Sequence, residues 1–236
     1  MLDARAFIDL HCHTRFSFDS LASPRSIVRA AAARGLTHIA ITDHDRIEGA
    51  LEARDQAPEG LTVIVGEEIR TADGDLIAAF VERAIEPGMS ATDTIAAVRE
   101  QGGLVGIPHP FDRFRGSLLR NAKTASLAPL VDWVEAHNAR LLGGGNQLAA
   151  EFAAANGVPG IAVSDAHSVL EVGVAYTALT GDPSTPAGLL AALSGVELIP
   201  GRASVVVRVL TPVAKVIQRA RGNGRVSRQR NGAGVR

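Results

Sequence analysis

Five of the seven histidines in this chain stand close to carboxylates, each group following an apolar run. His11 and His13 follow Phe-Ile-Asp-Leu, and Asp19 lies shortly after them. Asp43-His44-Asp45 follows Ile-Ala-Ile-Thr, and Glu67-Glu68 follows Val-Ile-Val-Gly. His109 ends Leu-Val-Gly-Ile-Pro, and Asp165 and His167 close Ile-Ala-Val-Ser. Imidazole nitrogens and carboxylate oxygens are the ligands that Zn²⁺, Mn²⁺ and Fe²⁺ share. Side chains two apart on a strand lie on one face, so His11 and His13 can reach a single ion, and Asp165 and His167 repeat that spacing. Each pair alone is a weak signal. Together, at the ends of five apolar runs, they read as a metal cluster.

The runs themselves read as strands buried on both faces. Between them the chain repeats a helix pattern. Ser23 and Pro24 form an N-cap and first position for a helix over 25–34, closed by Gly35. Further strands are expected near 37–42, 61–66, 75–81, 104–107, 133–137 and 160–163. Helices are expected near 47–56, 91–101, 127–130, 146–156 and 186–193, before a last apolar strand over 204–210. Strand–helix alternation argues a parallel α/β sheet, closed as a barrel or open. In a barrel of parallel strands the C-terminal strand ends converge on one rim, where active sites form.

A chain of 236 residues with a 46% apolar share fits one domain. No apolar stretch reaches the roughly 18 residues of a membrane span, and residues 1–5 lack a positive-then-apolar leader. A single cysteine, Cys12, allows no internal disulfide and suits a reducing compartment. The expected location is the cytoplasm. The net charge of −1 hides an asymmetry: after Glu197 there is no acidic residue but nine Lys or Arg. The expected organisation is a domain over 1–210 and a basic, flexible tail over 211–236.

The motifs resemble those of the PHP (polymerase and histidinol phosphatase) domain family. The matching elements are His11-Cys-His13, Thr42-Asp43-His44-Asp45, Gly66-Glu67-Glu68-Ile69-Arg70-Thr71, His109-Pro110 and Asp165-Ala-His167. The similarity spans about residues 7 to 180. It implies a distorted seven-stranded (β/α) barrel with two to three divalent ions (Zn, Mn or Fe) at the C-terminal rim. It implies a first ion on His11, His13, Glu68 and Asp165, a second sharing Glu68 and taking His109, and a third on Asp19, His44 and His167. Many relatives have a further histidine on the strand after the glutamate, and here that place is read as Leu76, so two well-held ions are expected. Glu67 is expected on the opposite face, in an outer shell or at the surface. Asp43 and Asp45 are read as orienting His44 or capping the next helix, and Glu135 as an outer-shell group. His38 and His137 are read as structural, and Cys12 as packed in the barrel wall.

Such a site makes hydroxide at neutral pH and stabilises charge on oxygen, which suits phosphate esters. The resemblance implies a metal-dependent phosphoesterase acting on a small phosphorylated metabolite or nucleotide. Asp19, His44 and His167 then serve catalysis, with Arg113 as a phosphate clamp through its fork of donors. Arg140 and Arg15 are alternative clamps, and Asp112 or the His44 region a source of the general acid. Two other readings stand beside this one: a 5'-3' exonuclease on short oligonucleotides, assisted by the basic tail, and a non-catalytic metal-binding regulatory domain.

Overall fold

The computed structural model describes residues 5–112 and 122–226. One sheet of nine strands runs in the order β7-β6-β5-β4-β3-β2-β1-β8-β9. The strands are β1 (Arg5–Cys12), β2 (His38–Ile41), β3 (Thr62–Arg70), β4 (Asp75–Ala79), β5 (Leu104–Ile107), β6 (Trp133–Asn138), β7 (Gly160–Val163), β8 (Tyr176–Thr180) and β9 (Glu197–Ile199). The first seven form a nearly closed barrel. The first half of β1 pairs antiparallel with β8, whereas Cys12 at its other end bridges Ala166, just past β7. There the His13 amide donates to the Ala166 carbonyl at 2.8 Å. The ring thus closes at the rim that carries the histidines, and β8 and β9 are two strands beyond the expected seven.

Two apolar layers hold the barrel. Its interior packs Ile8, Leu10, Ile64, Ile77, Trp133, Ile161 and Val163. The layer between sheet and helices packs Ile27, Ile39, Ile41, Ile69, Leu76 and Ile107. Alternate residues of each strand feed alternate layers, as the two-residue repeat requires. Trp133 fills the interior because its cross-strand partner is Gly106, where any Cβ would overlap the indole. The helices are α1 (Pro24–Ala33), α2 (Glu48–Asp55), α3 (Ala91–Glu100), α4 (Gly145–Asn156), α5 (Pro186–Ala192) and α6 (Val205–Ala220). Ser23 caps α1 as expected, accepting from the Ser26 amide at 3.2 Å.

Two expectations need correction. The sheet is not all parallel: β4 runs antiparallel to both β3 and β5. Only four residues join β3 to β4, and a parallel crossover needs a dozen or more. The Thr71 amide closes that turn on the Gly74 carbonyl at 2.9 Å. The strand expected over 204–210 is instead the start of α6, which crosses the boundary expected at residue 210. Apolar residues at helical spacing, with Ser204 as N-cap, carry this helix past the point where composition turns basic. Gln218 on α6 is buried and donates to the carbonyls of Arg15 and Ser20 at 2.6 and 2.7 Å. Residues 227–236 of the expected tail lie outside the described residues. Among the described residues no helix is long and apolar enough to cross a membrane.

Candidate metal centre

The strand ends deliver their side chains to one point. His11 and His13 leave β1 on the same face, and their Nε2 atoms stand 2.9 Å apart. Both face the Glu68 carboxylate of β3 at 3.4 Å, and the Asp165 carboxylate after β7 at 3.7 and 3.6 Å. Glu68 also accepts from His109 Nε2 at 3.0 Å, placing His109 beside it. On the other side, Asp19 Oδ2 lies 3.4 Å from Nε2 of both His44 and His167. All eight residues expected at the site are buried and together. Ligand atoms within 4.8 Å of one another form three groups: His11, His13 and Asp165; His13, Asp19, His44 and His167; and Glu68, Asp75 and His109.

Asp75 was not foreseen. Cross-strand pairing of Glu68 with Ile77 and of Arg70 with Asp75 puts Asp75 on the same face as Glu68. Leu76 pairs with Ile69 and points into the outer apolar layer. Leu76 thus points away from the donors, contrary to its reading as the lost ligand position, while its neighbours Ile77 and Asp75 share the face of Glu68. A rule that looks to C-terminal strand ends passes over Asp75, because the reversed β4 brings its N-terminal end to the rim.

Hydrogen bonds fix which nitrogen of three of the imidazoles faces inward. His11 Nδ1 donates to Glu135 Oε1 at 2.6 Å. His13 Nδ1 donates to Ser17 Oγ at 3.0 Å, since the Ser17 hydroxyl itself donates to Asp43 at 2.7 Å. His167 Nδ1 donates to the Asp165 carbonyl at 2.9 Å. Each leaves an Nε2 lone pair aimed at the centre, the arrangement that outer-shell partners impose on metal-binding histidines. Glu135 also accepts from the His109 amide and from Asn138, which in turn donates to Asp165 at 3.1 Å. Its expected outer-shell place is the one it occupies. Asp43 supports His13 rather than His44, and Asp45 accepts from the Arg70 amide at 2.8 Å. Glu67 lies on the opposite face but is fully buried, accepting from the Ile85 amide, so its surface reading fails. His38 binds Ser184, His137 binds the Gly201 carbonyl, and Cys12 is buried in the wall.

Charge and backbone both mark this place. Burial lowers the affinity of His13 for a proton, and the neighbouring imidazoles lower it further, so the ring stays neutral. Burial alone would raise Glu68 and Asp19, but His44 with His11 and His167 with His44 hold the two carboxyls well below their usual range. Burial also works against the charged form of His44, yet Glu68 and Asp19 outweigh it and push the group to about 10. Asp75 is raised by burial and then by Glu68. A divalent cation would offset the repulsion between Asp75 and Glu68. Asp45, His109 and Asp165 all take left-handed backbone with φ of 54°, 29° and 52°, a conformation that non-glycine residues adopt at a cost and that clusters at functional sites.

The set fits metal ions on its own terms. Nitrogen and oxygen donors converge, Nε2 lone pairs face one another, and Asp19 Oδ1 is buried without a hydrogen-bond partner. Residues 9–85 match the family model described as the PHP domain, and residues 136–195 match one described as PHP-associated. An uncharacterized protein of Methanocaldococcus jannaschii is 31% identical over 173 residues, which are 72% of this chain and 68% of that protein. The chain belongs to the PHP family. A second uncharacterized protein of that organism is 39% identical over 114 residues, 44% of this chain and 67% of its own length. The PHP fold is shared with a solved two-domain Bacteroides vulgatus protein containing a predicted PHP-like metal-dependent phosphoesterase. The TM-score is 0.71 at 19% identity, covering 84% of this chain and 66% of that one. Among the residues that converge here, His11, His13, Asp19, His44, Glu68 and Asp75 lie in the PHP-domain match, and Asp165 and His167 in the PHP-associated one.

Of the expected phosphate clamps, Arg113 lies outside the described residues. Arg15 turns away to Glu52 at 2.9 Å, and Arg140 is held by Glu171 and Thr211 at 2.9 and 2.7 Å. Asp112 is buried beside the His109 carbonyl. Among the described residues an arginine that does reach the cluster is Arg225, after α6. Its guanidinium lies 3.2 Å from Asp75 and 3.6 Å from Asp45, and over the Phe18 ring, which packs on His44. Composition had assigned it to the tail, and no local signal marks it.

Proposed function

We propose that this protein is a metal-dependent hydrolase of phosphate esters, acting on a small phosphorylated molecule. The observation that carries this reading is the three groups of buried nitrogen and oxygen donors at one barrel rim, with Glu68 of one group within 3.4 Å of His11, His13 and His44 of the others. His11, His13, Glu68 and Asp165 would hold one ion, Glu68, Asp75 and His109 a second, and Asp19, His44 and His167 a third. Bound there, divalent ions supply a nucleophile at neutral pH and offset charge that develops on phosphoryl oxygens.

The rest of the work falls to the chain. Glu135, Ser17 and the Asp165 carbonyl hold three imidazoles in the tautomer that presents Nε2. Arg225 places a fixed positive charge beside Asp75, where a phosphoryl oxygen can take two of its donors. Phe18 and α6 cover part of the rim and limit water around the reacting ester.

The test is elemental analysis of the purified protein beside a screen with added Mn²⁺, covering mononucleotides, histidinol phosphate, cyclic nucleotides and short oligonucleotides. Two or more ions per chain with turnover of a monophosphate is the expected result. A preference for oligonucleotides, with affinity falling steeply in salt, would move the substrate to nucleic acid. Fewer than one ion after reconstitution and no turnover would sink the reading.

A further inference from the structure

Next to the metal centre lies a cavity of about 510 Å³, whose lining includes Asp19 and His167. Its size falls within the range of small-molecule sites. The α6 helix forms one wall and the segment after β7 another. Leu210 and Val213 on the first, Val169 on the second and Leu21 after β1 all line it, and all are exposed by 37% or more. Aliphatic side chains left open around a concavity that touches two donor residues mark a place that something apolar fills.

The lining also says what does not belong there. No lysine or arginine is among its described residues. Glu171 is held by Arg140 at 2.9 Å, and Asp19 belongs to the donor cluster. A second phosphate or a carboxylate would face both carboxylates and no lysine or arginine among the described lining residues. The hydroxyls of Ser23, Ser26 and Ser168 are the polar groups at its edge.

We propose that this cavity seats the alcohol half of the substrate, and that this half is uncharged with an apolar or aromatic body. This inference rests on the phosphoesterase reading. In the reaction, water adds to phosphorus, the bond from phosphorus to the ester oxygen breaks, and a proton from water ends on the departing alcohol. That alcohol leaves from the side of Asp19 and His167.

The experiment uses the full chain loaded with Mn²⁺ and two probes. One is binding of 1-naphthol by its own fluorescence, and the other is turnover of 1-naphthyl phosphate against methyl phosphate. Leu210→Trp and Val169→Trp fill the cavity from opposite walls at exposed positions. The wild type is expected to bind 1-naphthol, and each variant to bind it at least 10-fold more weakly. Each is also expected to lower the kcat/KM ratio of naphthyl to methyl ester by a similar factor. No binding of 1-naphthol by the wild type, or equal binding by both variants, overturns the proposal. Binding of 1-naphthol without turnover of either ester overturns the phosphoesterase reading and leaves the cavity an apolar site. Turnover of methyl phosphate without binding of 1-naphthol does the reverse.

Discussion

Asp75 and Leu76 are adjacent in the chain and do opposite physical work. Asp75 shares a face with Glu68 beside His109, while Leu76 packs with Ile69 under the helices. Asp75→Ala should therefore remove about one bound ion per chain, read by elemental analysis, with little loss of fold. Leu76→Ala should leave metal content intact and lower stability by about 2–5 kcal/mol, read by denaturant unfolding. Metal lost from the Leu76 variant rather than the Asp75 variant would reverse the assignment. Arg225 touches Asp75 without being one of the converging donors. Arg225→Gln should raise KM for a phosphate ester about 10-fold, a loss of about 1.4 kcal/mol, and change kcat less. An unchanged KM would remove Arg225 from the phosphate site.

At the scale of elements, the site depends on strand direction and on close approach. β4 contributes its N-terminal residue to the rim because its turn from β3 is too short for a crossover, and this reversal brings a fourth carboxylate to the cluster. α2 begins against the carboxylate of Asp43, which anchors Thr14 and, through Ser17, His13. The approach is possible because Gly49 has no side chain; a Cβ there would overlap Asp43 Oδ2 and Thr14 Oγ1. Gly49→Ala should cost about 1–3 kcal/mol by overpacking, and it should also lower metal affinity, because it disturbs the partner of His13. A stability loss with unchanged metal affinity would show that α2 serves the fold alone. The α6 helix reaches the first loop through Gln218, so the C-terminal segment and the loop bearing Asp19 are one packed unit.

Over the whole molecule, the donor cluster would couple ion binding to folding. An ion that binds only the folded chain stabilises it by about 2.7 kcal/mol at 100 times its dissociation constant. Removal of metal with a chelator should accordingly lower Tm by several degrees, and Mn²⁺ should restore it; no change would mean that no ion is coupled to folding. Glu67 adds a pH dependence. Burial, with Asp45 and Glu48 nearby, raises it from an ordinary 4.5 to about 8, so the folded chain keeps a proton that the unfolded chain loses. Its stability contribution is full below about pH 4.5 and declines as pH rises toward 8. Glu67→Gln should flatten that decline and gain on the order of 5 kcal/mol at the alkaline end. A parallel shift of Tm at all pH values would exclude this role.

The sequence by itself determined the donor set on most strands and the α/β class. Both are written in short-range order: a two-residue repeat assigns faces, a strand end assigns the rim, and Ser23-Pro24 assigns a helix start. Three matters were decided only by tertiary structure. They are the reversal of β4 that makes Asp75 a member of the cluster, the partners that fix three of the imidazoles, and the passage of α6 and Arg225 over the rim. Each depends on contacts between residues far apart in the chain. Glu135 meets His11, Gln218 meets Arg15, and Arg225 meets Asp75 only after the barrel closes. Local pattern carries no information about such meetings, because burial and charge pairing, rather than propensity, select them.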